Sequence, residues 1–168
     1  IEGIELDNGQ HILIGAYRET LRLMRLVGAD PEQLLLRQPL AIEYPGKFSL
    51  RAPRLPAPLH LLAALLTAGG LAWGERLAAM RFMTAMRRNA YRIAADMPVG
   101  ELLALHRQSG ALARYLWEPL CVSALNTPAA TASAQAFLNV LRDGLDGARA
   151  NSDFLIPRVD LGKLFPLP

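Results

Sequence analysis

The 168-residue sequence predicts an α+β fold, mainly helical, built as one compact unit. Three observations carry that expectation. Apolar residues alternate with polar ones on both sides of Pro45-Gly46, the pattern of a small antiparallel hairpin. Beyond Pro58 the apolar residues recur at helical spacing nearly to the end. Hydrophobic residues make up 52% of the chain and charged ones only 20%, and mean hydropathy is +0.19. That balance excludes a disordered chain and points to a large buried apolar surface or an apolar partner.

The elements follow in order. Ile4 and Leu6 alternate with polar neighbours as an N-terminal strand, and Asp7-Asn8-Gly9 supplies a sharp turn. From Ile14 onward Tyr17, Leu21 and Met24 share helical spacing, and Gly28 sits where a C-terminal cap belongs. Asp30-Pro31-Glu32-Gln33 pairs a capping Asp with Pro at the first helical position, so a second short helix starts there. Leu40, Ile42 and Tyr44 face Phe48 and Leu50 across the hairpin, and strands are expected to end near Arg51. The Pro-rich stretch 52–58 reads as an extended connector. It separates a strand, helix and hairpin segment (1–58) from a helical segment (59–168), with helices predicted near 59–68, 74–92, 99–108, 111–125 and 132–145.

Composition narrows the chemistry. Net charge is +3 with a pI near 9.4, without the basic clusters and interleaved aromatics of a nucleic-acid footprint, so no nucleic-acid partner is expected. Cys121 is alone, which excludes an internal disulfide and a thiolate metal site and fits a reducing, cytoplasmic compartment. It lies in the apolar run 120–125 and reads as a small buried hydrophobe. His11, His60 and His106 lack the spacing of a helix-borne metal motif, so no metal is expected. Neither a Gly-x-Gly-x-x-Gly nor a P-loop pattern occurs. The chain opens on Ile1 without a signal-peptide start, and it is expected to be a piece of a longer protein.

Residues 55–74 carry no formal charge over twenty positions, the length of a membrane span. Pro56, Pro58, His60 and Gly69-Gly70 interrupt them, which favours a buried helix, or one dipping into an interface, over a span. In the next helix Ala79, Phe82, Met83, Met86 and Ala90 share one face, while Arg81, Arg88 and Arg92 form a stripe elsewhere. Such a helix either packs on a core with a solvated Arg face or lies on anionic lipid. Met80, Met83 and Met86 suit either ordinary packing or a pocket for a long flexible apolar ligand, because Met repacks easily.

The run Asp7-Asn-Gly-Gln-His11-Ile-Leu-Ile-Gly15-Ala-Tyr17 resembles the D-x-G-x-H-x-x-x-G-x-Y segment of FAD-dependent desaturases in the amine oxidase and phytoene desaturase superfamily. Three later stretches, 117–128, 132–137 and 157–162, look like the squalene-associated branch, the hydroxysqualene dehydroxylases of hopanoid precursor synthesis. The chain lacks the family's dinucleotide-binding strand and its C-terminal flavin-contacting part, so it is similar to the middle, substrate-side domain of that fold.

The resemblance implies reductive removal of an allylic hydroxyl from hydroxysqualene, with reduced FAD giving hydride and water leaving, to yield squalene. It implies that Asn8, Gly9, Gln10 and His11 approach the flavin and that His11 or Glu118 serves as an acid. Met83, Met86, Trp117 and Asn126 are the expected substrate-binding residues. The implied partners are a polyisoprenoid substrate, the inner membrane face and, through an unpaired strand edge, a second copy of the chain. The competing expectations are a carotenoid or phytoene-type desaturase and a non-catalytic helical module that binds lipid or a partner.

Overall fold

The structure, a computed structural model, describes residues 11–160 and 164–165. It is an α+β fold, about half helical, with two small antiparallel sheets. The expected strand at Ile4 and Leu6 and the turn at 7–9 lie outside the described residues.

β1 (Leu13–Ile14) leads through a turn into α1 (Arg18–Leu26). The helix therefore starts later than its apolar spacing predicted. Gly15 N–H donates to Asp153 O at 2.9 Å and Ala16 N–H to Asn151 O at 3.0 Å, so tertiary bonds hold this stretch extended. A Cβ on Gly15 would run into the Ala150 carbonyl oxygen, which explains glycine here. α1 ends as expected at Gly28, whose φ of +81° closes a terminus where Ala29 N–H returns to Met24 O at 2.9 Å. Asp30 then caps α2 (Pro31–Leu34) by accepting the Glu32 N–H at 3.0 Å.

β2 (Leu35–Gln38) follows, and the hairpin comes next as β3 (Ala41–Tyr44) and β4 (Phe48–Arg51), registered Tyr44 to Phe48 and Ile42 to Leu50. Strands do not end at Arg51. β5 (Phe154–Pro157) lies between β1 and β2 and pairs antiparallel with both, placing Leu36 opposite Ile156 and Leu13 opposite Leu155. Strands of two to four residues leave too short an alternation to be read locally.

The helices are α3 (Leu59–Thr67), α4 (Trp73–Arg88), α5 (Val99–Leu105), α6 (Gly110–Leu112), a π-helical turn (Ala113–Trp117), α7 (Glu118–Leu125) and α8 (Ala134–Leu145). α4 stops before Ala90, which was expected on its buried face. Ala90 and Tyr91 take φ of 51° and 57°, and Tyr91 N–H bonds Met86 O at 2.7 Å, turning the Tyr91 ring into the core and Ala90 out to solvent. The predicted helix 111–125 contains the π turn, where one extra residue shifts the side-chain phase between Leu112 and Glu118.

Two apolar clusters result. The larger joins hairpin residues Phe48 and Leu50 to Ala79, Phe82 and Met86 of α4, Leu116 and Trp117 of the π turn, and Phe137, Leu138 and Leu141 of α8. The smaller gathers Leu21, Met24, Leu35 and Leu155 beneath the three-stranded sheet. Ala79, Phe82 and Met86 thus put the predicted apolar face of α4 inward, with Arg81 and Arg88 exposed.

Candidate functional site

An apolar cavity of about 100 Å³ lies where the hairpin meets the helices. Leu40, Ile42 and Leu50 form its hairpin wall, and Leu61, Ala64 and Leu65 of α3 form the side toward the molecular surface. Ala79 and Met83 of α4, Leu116 and Trp117 of the π turn, Leu120 of α7 and Leu145 of α8 complete it. No lining side chain is ionisable, so the cavity suits a hydrocarbon group and carries no acid or base of its own.

Met83 and Trp117, two of the four expected substrate residues, meet in this wall. The Trp117 ring, 3% exposed, is fixed on three sides. Its Nε1–H donates to Gln108 Oε1 at 2.9 Å, and Phe82 and Phe137 stand edge-on at 5.4 and 6.4 Å between centroids. Gln108, itself 3% exposed, also donates through Nε2 to Ala78 O at 3.0 Å and His106 O at 2.7 Å. This partner of Trp117 is absent from the sequence reading, because the two stand nine positions apart in no regular period, with Gly110 at a φ of 67° between them.

The other expected residues stand elsewhere. Met86 is buried in the same core without lining the cavity. Glu118, next to Trp117, is exposed at the start of α7. Asn126 caps α7 in a left-handed conformation with φ of 49°, and its N–H bonds Val122 O at 2.9 Å. His11 is exposed at the edge of the described residues, and Asn8, Gly9 and Gln10 lie outside them. Cys121 is buried, its thiol pushed above the ordinary value by burial, with Sγ 3.6 Å from Thr127 O.

A second, polar cluster escaped the sequence reading. His60, 1% exposed, meets Ser152 Oγ at 3.1 Å through Nε2. Ser152 Oγ donates to Arg149 O at 2.9 Å, so in the tautomer protonated at Nε2 it accepts from His60. Beside it the buried Asp153 accepts from Arg149 at 3.0 Å and from Arg37 at 3.4 Å. Burial first, and then the Arg149 charge, push the His60 pKa below its ordinary 6.5 against the opposing pull of Asp153.

The described residues do not fit FAD. They hold no glycine-rich turn between a strand and a helix, and a groove of about 630 Å³ between the start of α1 and the end of α8 is lined by Glu19, Asp143 and Asp146 beside Arg18 and Arg142. Three carboxylates oppose a pyrophosphate. Among the described residues no cluster of His, Cys, Asp or Glu could hold a metal ion. No protein-family model matches the chain, and no curated protein matches it.

Proposed function

We propose that this chain forms the substrate-side portion of an FAD-dependent oxidoreductase that removes the allylic hydroxyl of hydroxysqualene. One observation carries the reading: Met83 and Trp117, assigned to the substrate from sequence, line the same apolar cavity. FAD binding belongs, in this reading, to residues outside those described. An amine-oxidase-like fold of the whole protein is part of the same proposal.

The chain's own contribution is to bind hydrocarbon and exclude water. A wall without ionisable groups desolvates a polyisoprenyl chain, and the Trp117 ring, held by Gln108, forms part of it. At about 100 Å³ the cavity is smaller than the roughly 300–1,000 Å³ of whole-ligand sites, so it holds one branched end of such a chain. Met83, half-buried and unbranched, is the side chain best able to repack around a longer segment.

The test pairs two measurements. The Trp73→Phe variant leaves Trp117 as the sole indole, and squalene or hydroxysqualene is expected to change its emission saturably. The longest natural form of the protein, reconstituted with FAD, is expected to show flavin bands and convert hydroxysqualene to squalene. Emission that ignores both lipids, together with a colourless protein, sinks the proposal. A second reading, a non-catalytic lipid-binding module, is favoured by the cavity's lack of a proton donor, and it expects lipid binding without flavin. Product analysis separates a carotenoid-type desaturase.

A further inference from the structure

We propose that the outer face of α3 and the first turns of α4 form a docking surface for an anionic lipid bilayer. This surface stands on its own observations, whether or not a flavin belongs to the protein.

Leu59, Leu62 and Leu66 are all exposed and spaced at three or four residues, so they form one stripe along α3. The opposite side of that helix, Leu61, Ala64 and Leu65, lines the apolar cavity. Arg76 joins the stripe to α4. Its guanidinium donates to the carbonyls of Leu66 and Ala68 and lies 4.6 Å from the ring centroid of Trp73. Trp73 is 71% exposed, and Leu77, one turn on, is exposed as well. At 100° per residue Trp73, Leu77, Arg81, Thr84 and Arg88 fall within one third of the α4 circumference, so the apolar patch runs directly into arginines.

Charge identifies the partner. Residues 44–95 hold eight basic side chains and a single carboxylate, Glu75, with Arg51 and Arg87 paired to Glu43 and Asp146 from outside that stretch, while the remainder of the chain holds ten basic and fourteen acidic residues. Glu75 is turned inward: its carboxylate accepts the N–H groups of Ala72 and Ala111 at 2.9 Å and of Leu112 at 3.3 Å. Arg81 and Arg88 make no ion pair among the described residues. Leucines flanked by Trp and Arg match an interface whose hydrocarbon lies beneath anionic headgroups. A two-fold contact with another copy would set this basic patch against itself. No helix among the described residues is long and apolar enough to cross a membrane.

The test is flotation of the full chain with vesicles of phosphatidylcholine alone or mixed equally with phosphatidylglycerol. Binding to the mixed vesicles is expected, at least about tenfold tighter than to the neutral ones. Leu62→Glu with Leu66→Glu, and separately Arg81→Glu with Arg88→Glu, are each expected to weaken it by about tenfold or more. Leu26→Glu, at a position 72% exposed on α1, is expected to change nothing. Acyl-chain-brominated lipid should quench Trp73 emission, and Trp73→Phe should abolish the quenching because Trp117 is buried. Equal binding to both vesicle types, no binding, or an equal loss with Leu26→Glu overturns the proposal. So does a dimer, seen by sedimentation, that the Leu62 and Leu66 substitutions split while vesicle binding is absent.

Discussion

Replacing Gln108 by Leu tests whether the cavity wall is built as described. The substitution nearly conserves volume but removes three hydrogen bonds, one from Trp117 Nε1 at 2.9 Å and two to the carbonyls of Ala78 and His106. The buried indole N–H then has no acceptor, which costs about 1–3 kcal/mol, and the two lost carbonyl bonds add about 1 kcal/mol between them. A total of about 3 kcal/mol corresponds to a Tm lower by about 6–12 °C in a chain of this size. Trp117→Phe removes the donor and leaves Gln108 Oε1 bare, so the two changes share one interaction. A double-mutant cycle from urea unfolding, followed by far-UV circular dichroism, should give a coupling of about 1–2 kcal/mol. Strict additivity, or a loss below about 0.5 kcal/mol for Gln108→Leu, refutes the idea that this bond orients the ring.

Gly15→Ala forces a Cβ into the Ala150 carbonyl and should cost more than about 3 kcal/mol, whereas Gly28→Ala, with open space but φ of +81°, should cost about 1–2 kcal/mol; thermal melts compare them. Because the folded state holds the His60 pKa below the unfolded 6.5, the unfolded chain binds the extra proton, so stability is complete above about pH 6.5 and falls as pH drops below it. In His60→Phe the part of that slope near pH 6 should vanish in urea titrations across pH 5–8. Cys121 should resist iodoacetamide in the folded chain and label fully in denaturant, as mass spectrometry would read.

What the sequence disclosed followed from local periodicity. The hairpin around Pro45-Gly46, the Gly28 terminus, the Asp30 cap and the inward face of α4 all rest on residues about ten positions apart or fewer. The three-stranded sheet was hidden because its partners are remote: Arg37 pairs with Leu155, and Leu13 with the same residue from the other side. The His60 to Ser152 contact spans 92 positions, and nothing near either residue marks it. Met83 and Trp117 were read as separate candidates, and only the packing of α4 against the π turn brings them into one wall. Glu118 and Trp117, adjacent in sequence, part company at the end of that turn, one to solvent and one to the core.

The position of β5 sets an order of events during synthesis. It occupies the middle of its sheet, yet the ribosome delivers it after every helix described here. Until then β1 and β2 lack the strand that joins them, and Asp153 cannot receive Arg37. The hairpin and α3 to α8 carry nearly all of the larger cluster in a contiguous stretch, so they can condense first on the emerging chain. The early segment 13–38 waits through more than a hundred residues of translation before its closing strand arrives.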